Sequence, residues 1–355
     1  MPEIVLAHDY LVQFGGAERV VAAWADAFQP KSVYTLAYAA ESTFDAFRGV
    51  DVHASIPDAL HHQVERMLPL LPTIAGRTTA AGGEIALVSS SGWAHRFQYD
   101  MPHVVYVHSP ARWLYAADDY RLRLSPLRRA GLAASTPLLR HGDREAMHRA
   151  RKVVVNSVVT RDRVRLAYGI DAEVVNPPAE VICDRPIQPA RRLPEQFVLC
   201  VARDRGYKNV PLAIASAKVA GLPIVVVGTG SEHLDRPDEQ VHCLGRVTDG
   251  ELCWLYREAS VVVGAAREDF GLSIVEAALE GTPAAVIAAG GYLETVADGR
   301  NGYHAASPTP EDLATAILRA RDIDAATCRT WAQRFGRDAH LARMARVMEE
   351  VVQRA

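Results

Sequence analysis

Residues 261–287 read VVVGAAREDFGLSIVEAALEGTPAAVI, and they decide the fold. Val261–Gly264 is a short β-branched run of the kind that makes a buried strand, and Ala284–Ile287 is a second. Between them Leu272, Val275 and Leu279 recur at helical spacing. That spacing predicts a helix over 272–280, ended by Gly281 and then Pro283. Glycine takes the left-handed cap without strain, and proline cannot continue a helix. Strand, helix, strand is a βαβ unit, and such units build a parallel sheet buried on both faces.

The same alternation runs upstream. Apolar runs at 197–202 and Ile224–Val227 belong to the same series, and an earlier series lies at 4–7, 33–36, 85–89, 104–108 and 153–156. Two series predict an α/β chain of two doubly wound, Rossmann-like parallel sheets. Asn176-Pro177-Pro178 ends the first, and a Pro- and Arg-rich stretch up to Pro194 leads into Phe197. Proline pairs end regular structure and suit a connector. The expected domains are therefore 1–178 and 179–330. From Cys328 onward the chain reads as helix without a strand. The segment 331–355 is expected to cross back to the first domain, packing through Trp331, Phe335, Ala339, Ala342 and Ala345.

Bulk composition narrows the function classes. The 355 residues are 49% hydrophobic and 23% charged, with a formal net charge of −3. A near-neutral chain without a long basic run gives no footprint for nucleic acid. The five cysteines, Cys183, Cys200, Cys243, Cys253 and Cys328, are odd in number and include no C-x-x-C pair. That argues against a disulfide framework and a zinc site, and fits a reducing compartment. The first residues lack the basic flank and apolar core of a signal peptide, and no stretch reaches 18 uninterrupted apolar residues. The expectation is a cytoplasmic protein that at most touches the inner face of a membrane. The one segment suited to such contact is 121–152, rich in arginine with several leucines. It suits an anionic lipid surface or a phosphorylated acceptor, or equally a solvated helix pair.

In an open parallel sheet ligands bind beyond the carboxyl ends of the strands, where loops enter helices. Four motifs occupy such places. Gly15-Gly16-Ala17-Glu18 opens a helix after the first strand, and its glycines let backbone N–H groups approach a phosphate. A tight loop alone would also use two glycines. His108 ends an apolar strand just before Ser109-Pro110, with Arg112 and Trp113 close behind to line an acceptor pocket. A lone histidine in such a place also serves as a structural residue. Arg203 and Lys208 flank a glycine-bearing loop after the strand at 197–202, and two cations there suit a diphosphate. Seven residues separate Glu268, in a loop, from Glu276, about one turn inside the helix at 272–280. The N–H groups of residues 270–273 face the same ligand region, and a carboxylate accepts hydrogen bonds from sugar hydroxyls.

These residues together resemble glycosyltransferase family four, whose members have the GT-B fold of two facing Rossmann-like domains. The most specific element is E-x7-E, here Glu268 to Glu276, followed by Gly281-Thr282-Pro283. His8-Asp9-Tyr10-Leu11, Gly15-Gly16-Ala17-Glu18, Ser90-Ser91-Gly92-Trp93-Ala94-His95 and His108-Ser109-Pro110-Ala111-Arg112-Trp113 resemble a bacterial mannosyltransferase-like branch. The resemblance covers nearly the whole chain. It implies retaining transfer from a nucleoside-diphosphate sugar, GDP-mannose or a related donor, to a saccharide or natural-product acceptor. No metal ion or other cofactor is implied. Residue by residue, it gives Glu268 the donor-sugar hydroxyls and Glu276 the ribose. Arg203 and Lys208 receive the diphosphate, supported by the backbone of Gly15-Gly16 and of Asp269-Phe270-Gly271-Leu272. His108 receives a place by the donor sugar. Arg246-Val247, after the strand near Cys243, would read the base, and Trp93 joins Arg112 and Trp113 on the acceptor side. A UDP-sugar transferase, an epimerase or hydrolase of the same fold, and a non-catalytic binding subunit are the alternatives.

Overall fold

Alternate residues of each central strand enter opposite cores, which is what a sheet covered on both faces requires. Val5, Ala7, Val88, Val105 and Val155 lie in one buried cluster, while Ile4, Leu6, Leu87, Val104 and Val154 lie in the other. The computed structural model describes residues 2–67, 70–115, 126–180, 185–202 and 208–354. It divides into a first unit, Met1–Pro178 with His340–Ala355, and a second unit, Ala179–Ala339.

The first unit is built on β1 (Ile4–His8), β2 (Ser32–Thr35), β3 (Asp51–Ala54), β4 (Ile85–Ser90), β5 (His103–Val107), β6 (Lys152–Val155) and β7 (Glu173–Val174). All pair in parallel, in the order β3-β2-β1-β4-β5-β6-β7. The second unit has β8 (Val198–Val201), β9 (Ile224–Val227), β10 (Val241–Gly245), β11 (Val261–Gly264), β12 (Ala284–Ile287) and β13 (Gly302–Ala305). These are also parallel, in the order β10-β9-β8-β11-β12-β13. Numbered within its own sheet, the second unit runs 3-2-1-4-5-6, the doubly wound order, and the first runs the same with a seventh strand added at the end. Strand order therefore reverses beside the first strand of each sheet. The crevice at such a switch point is where these sheets bind ligands.

The C-terminal segment departs from the sequence expectation. It is two helices, Ala325–Ala332 and Arg337–Gln353, separated by a turn at Gln333–Phe335. Trp331, Ala332 and Phe335 pack with Phe270, Val275 and Cys328 in the second unit, so 331–339 stay with that unit. The break resets the helical phase. Ala339 and Ala342 are exposed, and the buried stripe is His340, Met344, Val347, Met348 and Val351. Its apolar members cover one face of the first sheet together with Val20, Val21 and Trp24 of the helix Gly16–Phe28. Each such side chain contributes about 1.5–3 kcal/mol by burial. His340 clamps the helix down: Trp24 Nε1 donates to its Nε2 at 2.8 Å, and its Nδ1 lies 2.7 Å from the Asn176 carbonyl oxygen.

Among the described residues no helix is long and apolar enough to cross a membrane. Of the segment considered for surface contact, residues 121–125 lie outside the described residues, and Pro126–His148 is a single helix. Cys200, Cys243, Cys253 and Cys328 are buried thiols, and Cys183 lies outside the described residues.

Candidate functional site

In the second unit the switch point lies between β8 and β11, and the loops beyond these two strands carry Lys208 and Glu268. The Lys208 Nζ makes a short hydrogen-bonded ion pair with Glu268 Oε1. Both side chains are about one-fifth exposed, at 20% and 21%, so the pair is reachable from solvent. Arg203 lies outside the described residues.

The Glu268 loop rests on a second glycine pair that sequence reasoning did not single out. Gly290 and Gly291 follow β12, and the Gly291 N–H donates to the Glu268 carbonyl at 2.8 Å. A Cβ on Gly291 would stand 2.3 Å from Phe270 Cα, and one on Gly290 2.4 Å from the Glu268 oxygen. Backbone packs directly on backbone there. Tyr292, 3% exposed, then fills the space that Gly264 and Gly271 leave; a Cβ at either would meet its ring within 2.7 Å. Gly271 has φ +89° and caps the helix Leu272–Glu280, which ends at Gly281 with φ +98°. Both positions take a conformation that disfavours other residues. The signal for the second pair was legible: a Gly-Gly in the loop that follows an apolar strand, as at Gly15-Gly16.

The first unit furnishes its switch point, between β1 and β4, with buried hydroxyl, imidazole and carboxylate groups. His8 closes β1, Ser89 sits opposite it on β4, and His108 follows β5. The Ser89 hydroxyl lies 2.9 Å from His8 Nδ1 and 2.8 Å from His108 Nε2. Behind His8, Glu18 Oε1 stands 3.7 Å from its Nε2 and accepts from Gln13 at 2.8 Å. Burial drives the His108 pKa down to about 3, helped by His8 and His340, so the ring is neutral. Burial opposes charge on His8 too, yet Glu18 and Asp9 hold its pKa above the usual value of 6.5. Burial would raise Glu18, but His8 and Gln13 hold it low.

A second row uses the next residue along the strand. Ser90 Oγ lies 2.9 Å from His95 Nδ1, whose Nε2 lies 3.0 Å from Asp143 Oδ1. All three side chains are about 1% exposed, so this serine–histidine–aspartate row is a structural strut and not a nucleophile. Asp9 accepts from the N–H groups of Ser91, Trp93 and Ala94, at 2.6, 3.1 and 2.7 Å, and so ties down the loop beyond β4. Sequence reasoning quoted His8, Asp9, Glu18 and His95 as parts of motifs but gave none of them a task.

Residues 14–180 match the family described as Glycosyltransferase Family 4, and residues 185–334 match that described as Glycosyl transferases group 1. The chain belongs to glycosyltransferase family four. It is 27% identical over 260 residues to a D-inositol 3-phosphate glycosyltransferase of Mycobacteroides abscessus, over 65% of this chain and 56% of that protein. Identity to the protein of that name from Mycobacterium tuberculosis is 29% over 240 residues, 59% of this chain and 47% of the relative. The chain thus spans about half the length of these relatives. Among solved structures, Anabaena HepE in complex with UDP and glucose has a TM-score of 0.68 at 18% identity, covering 98% of this chain and 100% of that one. Sucrose-phosphate synthase from Thermosynechococcus elongatus gives 0.69 at 18% identity, covering 99% and 100%. The shared fold is GT-B.

Within this family-four chain the motif residues divide by exposure. Asp269 is half-buried beside Glu268, whereas Phe270 turns inward against Phe335, ring centroids 5.5 Å apart. Phe270 therefore offers a ligand only its backbone, and Leu272 is half-buried on the helix start. Glu276 is 7% exposed, and the Tyr256 hydroxyl donates to its Oε2 at 3.0 Å, so any ribose contact shares that carboxylate with Tyr256. Arg246 is exposed and Val247 half-buried beyond β10. Gly15 is packed, since a Cβ would lie 2.2 Å from Glu18 Oε2, while Gly16 is exposed with nothing within 4 Å. Trp93 is 4% exposed and stacked on Trp113 at 5.1 Å, so it supports Trp113 from beneath. Arg112 is half-buried.

Proposed function

We propose that this family-four chain is a retaining, metal-independent glycosyltransferase that moves a hexosyl group from a nucleoside-diphosphate sugar to a saccharide or natural-product acceptor. The observation that carries the reading is the reachable Lys208–Glu268 pair at the second sheet's switch point, standing on backbone that glycines alone allow. Lys208 exchanges Glu268 for the diphosphate when donor binds, with Arg203 as a second cation. The freed Glu268 carboxylate then accepts from sugar hydroxyls. The N–H groups at Phe270–Gly271–Leu272 and at Gly16 add partial positive charge toward the phosphates, where it costs no reorganisation. Glu276 takes the ribose and Arg246-Val247 the base.

The chemistry is a front-face substitution. The bond from the anomeric carbon to the phosphate oxygen breaks, the acceptor oxygen bonds on the same face, and its proton passes to the leaving phosphate. His108 orients the reacting sugar, with Arg112 and Trp113 on the acceptor side and Trp93 supporting them. The mannosyltransferase-like motifs favour GDP-mannose. A UDP-sugar donor is the second reading, supported by HepE having been solved with UDP and UDP-glucose. A cytoplasmic place, with or without membrane contact through 121–152, belongs to the same proposal.

The test is a donor-by-acceptor matrix, GDP-mannose and UDP-glucose against saccharides and D-inositol 3-phosphate, with EDTA, read by mass spectrometry. A glycosylated product with retained anomeric configuration supports the reading. Free sugar alone means a hydrolase, and donor recovered intact from every well means a binding subunit.

A further inference from the structure

The polar row of the first unit has a direction. Exposure is 2% at His8, 0% at Ser89 and 9% at His108, so the row runs from a sealed charge pair toward the surface. Among the described residues, His108 Nδ1 has no protein partner and is not one of the fully buried unsatisfied atoms. It is the nitrogen left for a ligand. The Asn156 side-chain amide donates to the His108 carbonyl at 3.0 Å, and the Tyr106 ring meets the imidazole edge-on at 5.1 Å. The ring is therefore held in place, and what remains adjustable is its proton.

One hydroxyl proton lies between two imidazoles, and it points only one way at a time. With His8 protonated, Nδ1–H donates to Ser89 Oγ and Nε2–H faces Glu18. The Ser89 proton must then go to His108 Nε2, which leaves the His108 proton on Nδ1. With His8 neutral and its proton facing Glu18, Ser89 donates to His8 instead. His108 must then carry its proton on Nε2 and present a bare Nδ1. Glu18 and Asp9 are the carboxylates facing His8, and His8 and His340 are the titratable rings facing His108.

We propose that the Glu18–His8 pair acts through the Ser89 hydroxyl as a positioning relay that fixes the His108 proton on Nδ1, making His108 a hydrogen-bond donor to its ligand. Gly15 belongs to the device, because a side chain there would displace the Glu18 carboxylate. The consequence for turnover rests on the assignment of His108 to the reacting sugar. The proton arrangement does not, and is read without substrate.

The experiment is 15N NMR on the full chain labelled at histidine, with the His108 resonances assigned by their loss in His108→Gln. At pH 6, below the ordinary histidine value and so below the raised one of His8, the wild type shows a protonated Nδ1 and a bare Nε2. Ser89→Ala and Glu18→Gln shift the proton toward Nε2. In turnover both lower kcat about 10- to 100-fold, the scale seen when the orienting partner of a functional histidine is lost, with KM for the sugar donor unchanged. Raising the pH of the wild type through the His8 pKa reverses the tautomer, and this decides the matter should either variant not fold. A proton on Nε2 in the wild type at pH 6, or one tautomer at every pH, overturns the relay. A tautomer that responds in a chain that transfers no sugar upholds the relay and removes the proposed activity.

Discussion

The two units wind the same strand order and equip the same topological place in opposite ways. Beyond β8 and β11 the second unit sets a solvent-reachable ion pair on a glycine-packed backbone. Beyond β1, β4 and β5 the first unit sets hydroxyls and imidazoles that are buried, with the carboxylates of Asp9, Glu18 and Asp143 buried among them. A cation that must meet a polyanion has to stay wet enough to exchange partners, and it needs little burial. A neutral group that must hold one proton on one atom needs the reverse: fixed partners and no competing water. Fold position alone thus does not set the chemistry of a switch point; burial decides whether it holds a charge or a tautomer.

The largest expected effect comes from breaking the wet site. Glu268→Gln and Lys208→Ala should each lower transfer by about 100-fold or more, the range for loss of a preorganised electrostatic contact. Stability should fall by about 1–2 kcal/mol, between the small cost for an exposed pair and the larger one for a buried pair, since these side chains are about one-fifth exposed. Urea unfolding alongside a turnover assay checks both, and lost stability with normal turnover makes the pair structural.

Gly291→Ala attacks the same site from beneath. Its Cβ would lie 2.6 Å from both the Asp269 and Phe270 carbonyl oxygens, so the Glu268 loop must shift. About 100-fold in turnover and about 1–3 kcal/mol of stability should go together. Gly16→Ala is the sharpening control, because a side chain there meets nothing within 4 Å. It should keep the unfolding midpoint within about 0.5 kcal/mol and lower turnover only several-fold, through crowding of the helix start.

The sealed site predicts acid sensitivity instead. His103 and His340, both in the first unit, have pKa values lowered to about 4, and His108 to about 3, burial being the leading cause in each. Below 6.5 the unfolded chain takes up protons that these rings refuse, so each contributes a loss of about 1.4 kcal/mol per pH unit until its folded value is reached. His8 has the opposite sign: its contribution is full below 6.5 and disappears as pH rises through its raised value. Urea midpoints measured from pH 7 to 4.5 should fall steeply for the wild type and less steeply for His340→Gln. Parallel curves would remove His340 from the acid response.

Much of this was legible from residue order. The nine apolar runs in the sequence are the nine interior strands, and the helix Leu272–Glu280 ends at the glycine that the spacing assigns to it. What escaped are the edges. β3, β7 and β13 show no apolar run, and β10 was noticed only through the loop that follows it. An edge strand has one neighbour and one less reason to be β-branched: all of Asp51–Ala54 is exposed or half-buried. The Lys208–Glu268 meeting joins loops 60 residues apart, yet its members stood out as charges at strand ends. The His8–Ser89–His108 row joins residues separated by 81 and 19 positions through an ordinary serine inside an apolar strand, and no local pattern marks it. The stripe on the last helix differs from the one that Ala339, Ala342 and Ala345 predict because the turn at Gln333–Phe335 breaks the helical phase.

The most direct measurement is calorimetric titration of GDP, UDP, ADP and dTDP into the wild type and Lys208→Ala, with EDTA present. Binding of one nucleoside diphosphate to the wild type, weakened at least about 10-fold in the variant, is the predicted result, equivalent to the loss of about 1.4 kcal/mol. Equal affinity in the two proteins would contradict the placement of the diphosphate at the second switch point, and so would no binding to either.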